Sequence, residues 1–263
     1  MASGISWVIE NIELHNYLLE WLQANGENVT VTVPIDFYKT TYENLDKDNC
    51  VFIGSINTAK KLMKLGWRNI WLSDNFKFSV YRQAIENHLL NKDAWAYTVD
   101  FVLKYWDHLL TDTPQLFIRP DDYNKVFPGM VIHKDNKAGF VDALAFYQLT
   151  NMSTIAYLSP VKTIEYEYRI VCVNNKVITG SQYMHRGNIA VSSYTDTRRV
   201  RSFLEPLLYN LSDALDSLIY IVDVGVLDTG DMGIVEVNSF STSGLYKCNP
   251  DKIVKAVAKL ILN

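Results

Sequence analysis

The stretch Ser217–Tyr246, SLIYIVDVGVLDTGDMGIVEVNSFSTSGLY, decides the fold, because it reads as two strands joined by a short turn with metal-ligand side chains on one face. Alternation places Ile221, Asp223 and Gly225 on one face of the first strand and Val222, Val224 and Val226 on the other. The second strand reads Ile234, Glu236 and Asn238 against Val235 and Val237. With Asp228–Asp231 as the loop, Leu227 pairs with Met232, and antiparallel counting sets Asp223 opposite Glu236. Two carboxylates with Cβ atoms about 5 Å apart repel each other unless a cation neutralises them. Asn238 adds an uncharged oxygen on the same face. Such an all-oxygen set suits Mg²⁺, which keeps waters and nucleotide phosphates among its ligands. The alternative is a solvated hairpin whose outer face happens to be acidic.

Working outward, 263 residues with a net charge of -4 describe an ordinary globular chain with no general affinity for nucleic acid. Arg198, Arg199 and Arg201, with His185 and Arg186, form either a local anion-binding surface or a solvated face. Cys50, Cys172 and Cys248 are odd in number and far apart, which suggests neither a disulfide framework nor a zinc site. The start MASGISWVIE lacks a secretory pattern, and no run reaches the roughly 18 apolar residues of a membrane span. The expectation is a soluble, cytoplasmic protein without membrane partners; no pattern speaks to oligomeric state.

The N-terminal region alternates strand and helix. Ile5–Ile9, Val29–Val33 and Cys50–Ile53 read as strands, with helices from Leu14 to the stop at Gly26 and from near Asn57. This βαβ pattern implies a small parallel sheet covered by helices. Gly54-Ser55 reads as a tight turn, since no G-x-x-x-x-G-K-[ST] follows. Residues 78–110 read as helical. Beyond Pro114, strands at Leu116–Arg119 and Met130–His133 flank the irregular loop PDDYNKVFPG, followed by a helix near Phe140–Gln148 and a strand at Ile155–Leu158. Asn174-Asn175 suits a two-residue hairpin turn, pairing Val173 with Lys176 and Arg169 with Gly180. That register puts Tyr166, Tyr168, Ile170, Cys172, Val177, Thr179, Ser181 and Tyr183 on a core face. Glu165, Glu167, Arg169, Lys176 and Gln182 take the polar face, where Glu167 and Arg169 either line a cleft or form a surface ion pair. Leucines from Leu204 to Leu215 indicate helix, and Asn249-Pro250 caps a final amphipathic helix.

A strand-borne Asp followed by a strand-borne E-x-N, with E-x-R upstream and an Arg/Lys strand-loop before that, resembles the ATP-grasp superfamily. Within it, the chain is similar to the small phage- and bacteria-encoded clade marked by FIRP, K-x-F-x-G, EYR, GS-x-Y and EVN. These stand at Phe117–Pro120, Lys125–Gly129, Glu167–Arg169, Gly180–Tyr183 and Glu236–Asn238, in the family's order. The resemblance covers about residues 114 to 260. It implies an α/β (α+β) chain, with a pre-ATP-grasp-like α/β domain over 1–110 and the ATP-grasp region over 111–263.

By the same resemblance, Asp223, Glu236 and Asn238 would hold Mg²⁺ on ATP, and Arg119 and Lys125 would contact its phosphates. Tyr157, Leu158 and Ser159 would meet the adenine, Glu167 would join the nucleotide site, and Arg169 would face the reacting phosphoryl group. Ser181 and Tyr183 belong to a matching motif but fall on the expected core face. His185 and Arg186 would touch the acceptor or form a surface pair. The implied reaction is ATP- and Mg²⁺-dependent ligation through an acyl-phosphate. It would join an amino-acid or peptide-like carboxylate to an amine acceptor, which includes peptides and modified macromolecules. An ATP-grasp-type kinase and a nonenzymatic nucleotide-binding module are the alternatives, and the Asp, Glu, Asn, Arg and Lys set weighs against the second.

Overall fold

The computed structural model describes residues 4–32, 45–193 and 197–262. Strands β1 (Ser6–Glu10), β2 (Asn28–Thr32) and β3 (Cys50–Ile53) form the expected parallel sheet in the order β2-β1-β3. Val33 lies outside the described residues. Helix α1 (Asn16–Ala24) connects β1 to β2, and α2 (Ile56–Lys64) follows β3, opened by Ser55 Oγ accepting from Thr58 N. The Gly54-Ser55 turn is shaped by Glu10, whose buried carboxylate accepts from Ser55 N, Ser55 Oγ and Thr58 Oγ1. A Cβ on Gly54 would lie 2.7 Å from that carboxylate.

Residues 78–110 are not continuously helical. After α3 (Phe78–Ile85), the segment Trp95–Thr98 forms strand β4, before the short helices α4 (Val99–Lys104) and α5 (Trp106–Leu109). Its WAYT sequence is aromatic and β-branched, and cross-strand pairing overrides the helical spacing on either side. Strands β5 (Gln115–Pro120) and β6 (Met130–His133), helix α6 (Lys137–Phe146) and strand β7 (Ile155–Ser159) follow, completing an antiparallel sheet in the order β4-β7-β5-β6. Residues on the N-terminal side of position 110 therefore supply an edge strand to this sheet.

The third sheet, in the order β10-β9-β8-β11-β12, contains β8 (Ile164–Val173), β9 (Lys176–His185), β10 (Asn188–Ser192), β11 (Ile219–Leu227) and β12 (Met232–Ser239). Between β10 and β11 run α7 (Thr197–Leu204) and α8 (Leu208–Leu215); α9 (Pro250–Leu262) closes the chain, with Asn249 Oδ1 capping Lys252 N. One face of this sheet, carrying Ile170, Cys172, Val222 and Val224, packs against α3, α7 and α8. The opposite face is covered at one end only, where Val171, Val173, Ile219 and Ile221 meet β1, β3, α1 and α9. Its uncovered end faces the sheet of β5 and β6, and that gap is the cleft. Among the described residues, no helix is long and apolar enough to cross a membrane.

Two β-bulges revise the expected β8–β9 pairing. Asn174 and Asn175 both have positive φ and Val173 pairs with Lys176, as the turn requires, but a shift at Val171/Cys172 sets Arg169 opposite Ser181 rather than Gly180. Thr179 and Ser181 thereby leave the core face. Their hydroxyls receive Asn249 N and Lys247 N on the side that carries Arg169. A second shift, at Glu167/Tyr168, leaves Tyr183 between the pairs Tyr168–Gln182 and Glu167–Met184, where its hydroxyl donates to Glu167.

All three cysteines are buried, and burial pushes their thiols up, Cys248 to about 12. The folded chain should react with none of Ellman's reagent at pH 8 over a time in which the chain in guanidinium reacts with three equivalents.

Candidate active site

Asp223 stands opposite Glu236, as the pattern requires, by a different route. The turn begins at Leu227, whose N–H donates to Asp231 O, so Met232 pairs with Val226 rather than Leu227. A bulge at Val235 then restores the register at Asp223. The bulge moves Ile234 to the core face with Val222 and Val224, and leaves Val235 at the cleft.

Asp223 also lies opposite Arg169 across β8 and β11. Arg169 Nε donates to Asp223 Oδ1 at 2.9 Å and Nη2 to Oδ2 at 2.6 Å, a two-pronged pair with Asp223 0% exposed. Nη1 donates to Gly244 O at 2.9 Å, and the guanidinium lies over the rings of Tyr183 and Tyr246. Burial raises the Asp223 carboxyl, and the Arg169 charge opposes that rise. Tyr246 holds φ at 48°, where bulky residues are uncommon.

Glu236 reaches the cleft, where Lys125 Nζ at 3.4 Å and Arg119 Nη2 at 3.5 Å approach its two oxygens. Burial works against its charge, yet Lys125 and Arg119 hold the Glu236 carboxyl at about 2. Asn238 Nδ2 bridges Glu236 Oε1 at 2.8 Å and Asp223 Oδ2 at 3.2 Å. Arg119 is positioned by its Nη1 bond to Val235 O and by stacking over Phe78, and its buried Nε has no partner among the described residues. Glu167 accepts from Tyr183 Oη at 2.5 Å; burial raises its carboxyl, with Tyr183 opposing.

These groups open on one cavity of about 830 Å³ between the two antiparallel sheets. Arg119, Lys125, Glu167, Tyr183, Arg186, Glu236 and Asn238 line it. Arg169 and Asp223 do not; they lie beneath the wall, where their strand register pairs them with each other. Nor do Tyr157, Leu158 and Ser159. Strand β7 is bonded on both edges, to β4 and β5, so its backbone groups are spent; Leu158 is in the core and Ser159 Oγ donates to Asn91 Oδ1. The chain leaving β7 lines the cavity instead, at Val161, Lys162 and Thr163. Pro160, which ends the strand, was the available sequence signal. His185 stacks on Tyr166, and Arg186 pairs with Glu165 at 3.2 Å. Arg199 donates to Gly230 O and Arg201 pairs with Glu205, so the basic run is divided among separate partners.

Residues 90–256 match the family model of an ATP-grasp domain, the second family of its clade. The chain belongs to this ATP-grasp family. Solved structures agree at the level of fold. The ATP-grasp chain superposes on D-cycloserine synthetase DcsG with a TM-score of 0.64 at 11% identity, covering 98% of this chain and 100% of that one. For the D-alanine–D-alanine ligase of Bacillus anthracis the TM-score is 0.61 at 12% identity, covering 100% and 96%. For macrocyclase MdnC bound with precursor peptide MdnA, from Microcystis aeruginosa, it is 0.55 at 12% identity, covering 98% and 100%. No curated protein matches the sequence.

Among the described residues, no cluster of three or more His, Cys, Asp or Glu forms a metal cage. Mg²⁺ on a nucleotide needs less: one or two carboxylates, with phosphates and waters completing the octahedron. Glu236 and the Asn238 amide, once its oxygen turns to the cleft, fit that demand, and Asp223 stands behind both.

The floor beside the site is bare because Gly225 and Gly233 pair directly, and Leu90 packs where their side chains would be. Gly225→Val should displace Leu90 and cost roughly 1–3 kcal/mol of stability by overpacking, measurable by urea denaturation.

Proposed function

We propose that this ATP-grasp chain is an ATP- and Mg²⁺-dependent carboxylate–amine ligase acting through an acyl-phosphate. The observation that carries the reading is the convergence of Arg119, Lys125, Glu236 and Asn238 on one cavity between two sheets. The adenine lies in its apolar end, among Phe117, Val131, Val161 and Ile164. Glu167, an acceptor between that end and the cationic groups, takes the ribose hydroxyls. Arg119 and Lys125 bind the phosphates, while Glu236 and Asn238 would hold Mg²⁺, whose charge would offset that of the triphosphate. Asp223 and Arg169 act as positioning residues, fixing Asn238 and the Ser239–Gly244 loop.

A substrate carboxylate oxygen attacks the γ-phosphorus and the bond to the β-phosphate oxygen breaks, giving acyl-phosphate and ADP. An amine then attacks the acyl carbon; the C–N bond forms and phosphate leaves. Of the two protons lost by the ammonium, one leaves with phosphate and one enters solvent. No protein nucleophile is needed, so the protein's work is alignment and charge neutralisation. The names of the structural neighbours, a synthetase, a ligase and a peptide macrocyclase, support ligation of amino-acid or peptide-like substrates.

The test is ADP release from Mg²⁺-ATP with pooled amino acids and peptides, with hydroxylamine as the trap. Hydroxamate formed with particular carboxylates is the expected result. ADP release without hydroxamate would replace ligation with a kinase reading.

A further inference from the structure

The two ends of the cavity differ in chemistry. Beyond Arg119 and Lys125, away from the adenine end, the N-terminal region supplies the wall: Ile56 from the first turn of α2, then Leu72 and Phe76. Tyr123 joins them from the loop after β5, packed against both adjoining cores and held under Lys60 Nζ, 5.0 Å from its ring centroid. Asp122 is the charged group lining this end. Its Oδ1 accepts from Asn124 N at 2.6 Å, and its other oxygen has no partner among the described residues. Nearby, the Ser243 hydroxyl is spent on Ser239 O.

We propose that the amine acceptor carries an apolar side chain, seated on Ile56, Leu72, Phe76 and Tyr123, with its ammonium on Asp122. The proposal rests on the ligase reading above and names the acceptor class. A polar side chain would lose water against Leu72 and Phe76 without gaining a partner from either. A second carboxylate there would meet the charge of Asp122, whereas an ammonium completes that carboxylate's bonding. The same loop carries Lys125 three residues later, so seating the ammonium brings the amine beside the phosphate-binding groups. Acceptors with unbranched or absent side chains leave the apolar wall unfilled. One methylene in such a pocket is worth roughly 10-fold or more in discrimination.

The test is calorimetric titration of the full chain, first with Mg²⁺-AMPPNP and then with L-leucinamide, glycinamide or 4-methylpentanamide, which lacks the amine. L-Leucinamide is expected to bind at least 10-fold more tightly than either of the others. Asp122→Asn, which can still accept from Asn124 N, should abolish the preference for L-leucinamide over 4-methylpentanamide. Ile56→Ser should shrink its preference over glycinamide several-fold. Circular dichroism checks that both variants are folded. If AMPPNP binds and L-leucinamide shows no preference over glycinamide, or if Asp122→Asn keeps the full preference for the amine, the acceptor assignment is wrong and the nucleotide site stands. If AMPPNP does not bind, both readings fall together.

Discussion

Arg169→Met should destabilise the fold by about 3–5 kcal/mol, seen as a lower urea midpoint at unchanged slope. The reason lies in what the substitution leaves behind. Asp223 is 0% exposed, and both its oxygens are held by the guanidinium. Without Arg169 it must ionise unpaired in a buried site or take up a proton, and either costs free energy. The bond from Nη1 to Gly244 O and the contact with Tyr183 and Tyr246 are lost as well. The double variant Arg169→Met/Asp223→Leu should recover most of the loss, because replacing a whole buried ion pair with apolar groups is often neutral. A double variant as unstable as the single one would show that the loop tether, not the orphaned charge, dominates. A single variant within about 1 kcal/mol of wild type would contradict the buried pair altogether.

Glu236→Gln should behave in the opposite way, with Mg²⁺-dependent ADP release falling beyond the roughly 10–100-fold typical of losing an outer-shell partner, at little cost in stability. Its side chain is 24% exposed, its ion contacts are long at 3.4 and 3.5 Å, and the amide keeps its shape. Lys125 and Arg119 depress its carboxyl to about 2 from a usual 4.5, against the effect of burial. Whatever stability these long, partly exposed contacts add is therefore complete above about 4.5 and is lost as the pH falls towards 2. At neutral pH the charge is always present to face the two cations. Near-normal turnover in Glu236→Gln would refute the metal assignment. Asp223→Asn is the contrasting case. It breaks the pair with Arg169 and should lose stability together with activity.

Local chemistry in the chain determined a great deal. The paired asparagines made the β8–β9 turn because Asn tolerates positive φ, the N-terminal alternation of strand and helix required a parallel sheet, and the motif order pointed to the ATP-grasp family. The opposition of Asp223 and Glu236 was also legible, although the turn at Leu227 and the bulge at Val235 offset one another in reaching it. Tertiary structure decided the rest. Bulges in β8–β9 moved Ser181 and Tyr183 to the side of Arg169, because an extra residue reverses every later side chain and strict alternation carries no sign of it. Pairing with β7 made a strand of Trp95–Thr98, and pairing on both edges of β7 left Val161–Thr163, rather than Tyr157–Ser159, lining the cavity. Which strands become neighbours is set by contacts far apart in sequence. For that reason the identity of the charged residues could be read from the chain, while the burial of Arg169 on Asp223 and the opening of Glu236 to the cleft depended on the assembled sheets.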